Sequence, residues 1–342
     1  MAWDLFFMDL GLFASKSFLV VFSIGLVLVL IAILVARASD KFEIEVQALH
    51  HKIKEDALML KELMSTKEEL KEQKKRLKEE MKAEEKEGPK KKFFVLNFKG
   101  DIHASRVEGL RQEITVLLGV ASEEDEVIVR LESPGGVVSD YGLAASQLMR
   151  LRSRKIPLTV CVDTVAASGG YMMACVANKI LAAPFAIVGS IGVVAQVPNF
   201  HRLLKKHDVD YTEYTAGEFK RTVSILGEIT PQGEEKFKQQ LEETHVLFKD
   251  YVQNHRPQLS IKDVATGEYW FGEVALKKGL VDALMTSDDY IMEASTQGAV
   301  YEITYNIKEK WKDKISHMIS AVVEKSFKAA LKIIEQKTKY PL

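Results

Sequence analysis

The chain has 342 residues, enough for a large core or for two modest domains. Apolar residues make up 47% and charged residues 28%, the proportions of an ordinary folded protein and not of a disordered or low-complexity one. A net charge of −1 leaves no overall basic surface, which excludes nucleic acid as a general partner.

The first distinctive element is an uncharged run at 18–36, FLVVFSIGLVLVLIAILVA. Its 19 residues, at ~1.5 Å each, nearly match the ~30 Å hydrocarbon core of a bilayer. Signal-peptide apolar stretches usually run about 7–15 residues, so a retained transmembrane helix is the expectation. Lys16 precedes the run, and Arg37 and Lys41 follow it. That count mildly favours a cytoplasmic body by the positive-inside rule. The segment 1–40 is therefore read as an N-terminal anchor.

From 41 to 89 the composition turns to Lys and Glu. Leu49, Ile53, Leu60, Leu63, Leu70, Leu77 and Met81 fall at spacings near three, four and seven. This pattern predicts a long charged helical stalk. Asp56, Lys67 and Lys74 interrupt the apolar seam, which leaves a solvated spacer and a weak coiled coil both open. Gly88-Pro89 ends it.

The segment 90–300 alternates short apolar runs with helical spacing. FFVLNF at 93–98, EVIVRL at 126–131, LTVCV at 158–162 and KILA at 179–182 read as strands, while 107–118, 140–151 and 172–177 read as helices. That rhythm predicts an α/β fold with a largely parallel sheet. Cys161 and Cys175 sit in apolar stretches and read as buried thiols. With no CxxC and no His/Cys cluster, no metal site and no cofactor are expected. The tail from 301 to 342 is basic and amphipathic over 307–336, suited either to an anionic membrane surface or to a neighbouring subunit.

Three glycine turns carry the candidate chemistry. SPGG at 133–136 directly follows one predicted strand, and AASGGY at 166–171 comes shortly after another. Carboxyl ends of strands are where open α/β sheets build their sites. Ser168 opens a helical stretch, so backbone N–H groups near it suit an oxyanion; a plain N-cap serine fits the same residues. GSIGV at 189–193 reads as a turn entering a strand. A serine nucleophile needs a base. None of the eight histidines (His50, His51, His103, His201, His207, His245, His255 and His317) has motif-like surroundings. A desolvated lysine can serve instead, but residue chemistry does not say which.

The set SPGG, SGGY, GSIGV and GEFKRT (217–222), in this order, resembles the signal peptide peptidase A family of serine peptidases. The anchor, the stalk and the phrases FKGDIHAS, VATGEYWFG and KKGLVD look closest to the probable inner-membrane proteases within it. The resemblance covers nearly the whole chain and is weakest in the stalk and after about residue 300. It implies a ClpP/crotonase-like domain at 90–300 and a Ser–Lys dyad. Ser168 falls on the nucleophile, Lys220 on the general base and Ser190 on the serine that orients the lysine. Gly135 and Gly136 fall on the turn associated with the oxyanion hole, and the N–H of Gly169 is a further candidate donor.

The implied activity is membrane-anchored endopeptidase, acting through an acyl-enzyme on signal-peptide remnants or misfolded membrane-associated polypeptides. The implied setting is a homo-oligomeric ring on the bacterial inner membrane, in contact with lipid through a single-pass anchor. The resemblance implies a periplasmic body, against the local charge count. A crotonase-type acyl-CoA enzyme and a non-catalytic membrane scaffold are the alternatives.

Overall fold

The computed structural model of the chain describes residues 43–88 and 91–306. The expected transmembrane run at 18–36 and the amphipathic tail at 307–336 lie outside the described residues. Among the described residues no helix is long and apolar enough to cross a membrane. Contacts divide the chain into two units; residues 44–305 form one, and nearly all of the other lies outside the described residues.

In chain order the elements are β1 (Glu43–Ala48), α1 (Leu49–Glu62), α2 (Lys67–Glu87), β2 (Lys92–Lys99), α3 (Val107–Leu117), β3 (Glu126–Glu132), α4 (Val138–Ser153) and β4 (Leu158–Val162). There follow β5 (Val165–Ala167), α5 (Gly169–Ala174), β6 (Lys179–Ala182), β7 (Ile187–Gly189), α6 (His201–Lys206) and α7 (Pro231–His255). The remainder are α8 (Ile261–Val264), β8 (Tyr269–Phe271), α9 (Gly272–Lys277), β9 (Ala283–Leu284), α10 (Ser287–Gln297) and β10 (Ala299–Asn306).

The α/β expectation holds. Seven strands form one sheet in the order β1-β10-β2-β3-β4-β6-β9, and the pairs from β10 through β9 are parallel. Parallel strands are covered on both faces, which is why FFVLNF and LTVCV read as continuous apolar runs. One face packs Phe94, Leu96, Val129 and Val160 with α3, α4 and α5; the other packs Phe93, Val95, Ile128 and Cys161 with α10. A second sheet, β5-β7-β8, has β5 parallel to β7 and β7 antiparallel to β8. A single bridge between Ser133 and Ala166 joins it to the end of β3.

The stalk differs from a single long helix. Its first described residues, Glu43–Ala48, form a strand beside β10. The helical part breaks at 63–66 into α1 and α2, which contact each other and share the Lys74–Glu62 ion pair at 3.2 Å. The break has a local cause. Thr66 Oγ1 accepts from Glu69 N–H at 3.4 Å, and the Glu69 carboxylate accepts from Thr66 N–H at 3.0 Å. This reciprocal capping box starts a new helix inside a sequence whose charge pattern alone would continue the old one.

Behind the small sheet, Arg256 is buried at the end of α7 and grips Asp282 with two bonds of 2.7 and 2.8 Å. Asp282 also accepts from Ile180 N–H at 2.7 Å, tying α7 to β6. Burial alone would raise the Asp282 carboxyl, but the bonds from Arg256 and Ile180 prevail and hold it below its ordinary value. A depressed carboxyl contributes stability above its unfolded value and loses it as pH falls through the folded one. Arg256→Met should therefore cost about 3–5 kcal/mol in urea unfolding at neutral pH, since it strands a carboxylate. The same variant should flatten the loss of stability below about pH 4 that the wild type shows.

Both cysteines are buried and free, as expected. Burial pushes the Cys161 thiol up to about 12 and raises Cys175 further. Iodoacetamide at pH 8 should label neither in the native chain and both in denaturant, read by mass spectrometry.

Candidate functional site

The site grows from the point where the two sheets meet. At the end of β3, Ser133 N–H donates to Val165 O at 2.8 Å, and Ala167 N–H donates to Ser133 O at 3.0 Å. These bonds lay the SPGG turn directly along β5. Gly135 has φ +89, and a Cβ there would stand 2.7 Å from Ala167 O, Gly169 N and Ser168 Cβ. Only glycine allows both that backbone angle and that approach. A Cβ on Gly136 would strike the Ile102 backbone, and one on Gly169 would strike the Tyr141 ring.

Ser168 occupies the N-cap position of α5, but its side chain makes no cap hydrogen bond. The plain N-cap reading of this serine is thereby removed. Its backbone is held at φ 52, ψ −118, a region a non-glycine residue rarely adopts. The strain has a visible source. Ser168 N–H is tied to Gly189 O at 2.8 Å, while the next residue must already begin the helix. Ser168 is half-buried on a sharp turn from β5 into α5. Among the described residues the Oγ of Ser168 has no hydrogen-bond partner, and neither has the N–H of Gly136 or of Gly169.

Ser190 lies beside Ser168. The register pairs Ala167 with Gly189, so both chains leave their strands side by side, roughly 4.8 Å apart. Ser190 also carries a positive φ, 52°, and its N–H donates to Glu268 O at 2.7 Å. Gly189 is the last residue of β7, so GSIGV leaves a strand where the sequence suggested that it enters one. Successive positive φ values at Gly189 and Ser190 cannot continue a strand.

Lys220 follows Ser168 by 52 positions and lies outside any helix or strand. It sits exposed in the segment between α6 and α7, where its N–H closes a turn onto Gly217 O at 3.1 Å. Among the described residues no hydrogen bond or ion pair joins its side chain to Ser168 or Ser190. The segment is moored at its far end. Glu218 accepts from Gln232 at 3.1 Å, Arg221 pairs with Glu213 at 3.0 Å, and Gly233 packs against Thr222 O. Apolar side chains at Tyr214, Phe219 and Ile225 are exposed along it, and Val194, Phe200 and Leu203 are exposed before it.

Two supporting residues were not singled out from the sequence. The Tyr141 hydroxyl donates to Asp101 O at 2.7 Å, so the Ser133 hydroxyl, 2.5 Å away, donates to Tyr141. Ser133 Oγ in turn accepts from Gly135 N–H at 3.1 Å. Burial raises the Tyr141 phenol and keeps it a donor. This chain braces the SPGG turn from beneath. The signal lay in the motif's own first residue and in the helical face of Tyr141, but only the crossing of β3 and α4 brings them together. His103 stands on the outer side of the turn, exposed, with Nδ1 3.5 Å from an Asp140 carboxylate oxygen.

Comparison with known proteins shows the family to which the chain belongs. A model described as peptidase family S49 matches residues 150–301, and one described as peptidase family S49 N-terminal matches residues 5–148. A "Probable protease SohB" of Haemophilus influenzae is 61% identical over 216 residues, which is 63% of this chain and 61% of that protein. The protein of the same description from Buchnera aphidicola subsp. Acyrthosiphon pisum is 51% identical over 242 residues, 70% of this chain and 72% of its own. Among solved structures, the 1510-N membrane-bound stomatin-specific protease in complex with a substrate peptide aligns at TM-score 0.38 and 17% identity, over 60% of this chain and 80% of that one. With two family models meeting end to end across the body, and a relative half identical over 72% of its own length, the chain belongs to peptidase family S49.

Proposed function

We propose that the chain is a membrane-anchored serine endopeptidase with a ClpP/crotonase-like body, in which Ser168 is the nucleophile and Lys220 its base. The observation that carries the reading is Ser168 itself. Its backbone is strained, its hydroxyl makes no cap hydrogen bond, the N–H of the adjoining Gly169 is unpaired, and Gly135 packs against its Cβ. Strain of this kind, about 1–3 kcal/mol, persists where the surroundings over-determine it and function uses it.

In the proposed reaction Lys220, neutral, takes the proton from Ser168 Oγ as that oxygen attacks a peptide carbonyl. The Gly136 and Gly169 N–H groups hold the oxyanion, each donor worth about 2.7–4 kcal/mol. Lys220 then gives its proton to the departing amine, and water hydrolyses the acyl-enzyme. Ser190, at strand spacing from Ser168, is suited to orient the amine.

A lysine acts as a base only when it is desolvated. Lys220 is exposed in the single subunit, and the segment carrying it bears exposed apolar side chains. Both features support a homo-oligomer in which a second copy covers this segment and supplies or receives the lysine. The ring, the anchor at 18–36, the bacterial inner membrane and the substrates, signal-peptide remnants or misfolded membrane-associated polypeptides, belong to this reading. A crotonase-type acyl-CoA enzyme would use a carboxylate base; among the described residues no carboxylate is hydrogen-bonded to Ser168 or Ser190.

Ser168→Ala and Lys220→Met should each lower kcat/KM on an unstructured peptide by at least about a thousandfold, with an unchanged melting temperature. Undiminished cleavage by Ser168→Ala rejects the nucleophile. Mixing the two inactive variants should restore part of the activity if the dyad forms between copies, and none if it forms within one. Gly135→Ala should lower kcat/KM by roughly a hundredfold or more, because its methyl displaces the Ser168 backbone. Gly142→Ala, in a helix with open space around it, should leave activity unchanged and add about 0.5–1 kcal/mol of stability in urea unfolding.

A further inference from the structure

Resting on the peptidase reading above, we infer that Ile102 is a specificity residue, forming with Val137 and Val138 an apolar rim that selects an apolar substrate side chain beside the scissile bond. The rim belongs to neither the dyad nor its supporting serine, and Ile102 comes from a loop apart from the SPGG turn that Val137 and Val138 continue.

The loop 100–106 carries Ile102 past the oxyanion turn. Gly136 packs directly on the Ile102 backbone, and Val137 N–H donates to Ile102 O at 2.8 Å. Gly136 adjoins Gly135, which touches Ser168 Cβ, so Ile102 stands two residues' breadth from the nucleophile. Its side chain is nonetheless 66% exposed, and Val137 and Val138 beside it are 37% and 40% exposed. Three aliphatic side chains in contact with water at the mouth of a polar site cost solvation that a polar residue would avoid.

The loop is also rigid, so Ile102 does not fold back into the core. The Asp101 carboxylate accepts from His103 N–H at 3.2 Å, from Ser105 N–H at 2.9 Å and from the Ser105 hydroxyl at 2.7 Å. Those bonds, chiefly from Ser105, hold the Asp101 carboxyl below its usual range, so the brace persists at neutral pH. Ala104, at φ 47, is fully buried and pins the following residue. A preorganised loop that points one branched aliphatic outward is what positions a substrate side chain without paying to order the loop at binding. The outer flank, His103 and Asp140, is polar and bounds the apolar strip.

The test uses the full-length chain in detergent and pairs of fluorogenic peptides that differ only by Leu against Ser, placed in turn at each of the three positions on either side of the cleaved bond. Wild type should prefer Leu at one position by at least about tenfold in kcat/KM. Ile102→Ser should reduce that preference by roughly fivefold or more, chiefly through KM of the Leu peptide, while Ile102→Val keeps it within about twofold. Val120→Ser, an exposed aliphatic remote from the turn, should leave the preference intact. An active wild type whose preference survives Ile102→Ser, or that shows no preference, overturns the Ile102 assignment alone. A wild type that cuts none of the peptides, or a Ser168→Ala chain that cuts them equally well, overturns the peptidase reading and this inference with it.

Discussion

The approach of Gly135 to Ala167, Ser168 and Gly169 is the constraint on which the site depends. Three atoms crowd the place where a single methyl group would stand. That closeness follows from the bridge between Ser133 and Ala166, which joins the end of a seven-stranded parallel sheet to a small second sheet. Break the bridge and the SPGG turn has no reason to face the Ser-Gly-Gly turn. Keep it and Gly135 of one turn packs against Ser168 Cβ and Gly169 N of the other. The Tyr141–Ser133–Gly135 hydrogen-bond chain and the Arg256–Asp282 pair act from behind, fixing the turn and the elements under it.

The strained backbones at Ser168 and Ser190 share one cause. Each serine follows the last residue of a short parallel strand, and each has its N–H held by a carbonyl of the neighbouring segment, Gly189 O or Glu268 O, while the chain turns away. Two neighbouring non-glycine residues at positive φ are costly, and a packed core on the far side of both sheets meets that cost. The two glycine turns and the strained serines are thus brought together by the pairing of the short strands. Lys220, by contrast, lies on an exposed segment that also exposes Tyr214, Phe219 and Ile225.

Local pattern made much of this legible. Parallel strands buried on both faces leave unbroken apolar runs, so β2, β3, β4 and β6 were readable to within a residue or two of their observed bounds. The ends of the stalk were readable less well. Glu43–Ala48 carries charges at alternate positions and no turn signal, and only pairing with β10 makes it a strand. The break at Thr66 was written in a capping box, but a strong Lys/Glu helical pattern on both sides masked it.

The sequence by itself determined the family, through the order of four short glycine and lysine motifs, and it determined the α/β class, through periodicity. Both are local properties that a chain carries unfolded. Only the tertiary structure decided that Ser168 has a strained backbone and no capping bond, that Ser190 stands one strand away, that Ser133 and Tyr141 brace the turn, and that Lys220 is exposed. These depend on which strands pair and in what register, and such contacts join residues tens of positions apart that no local pattern connects.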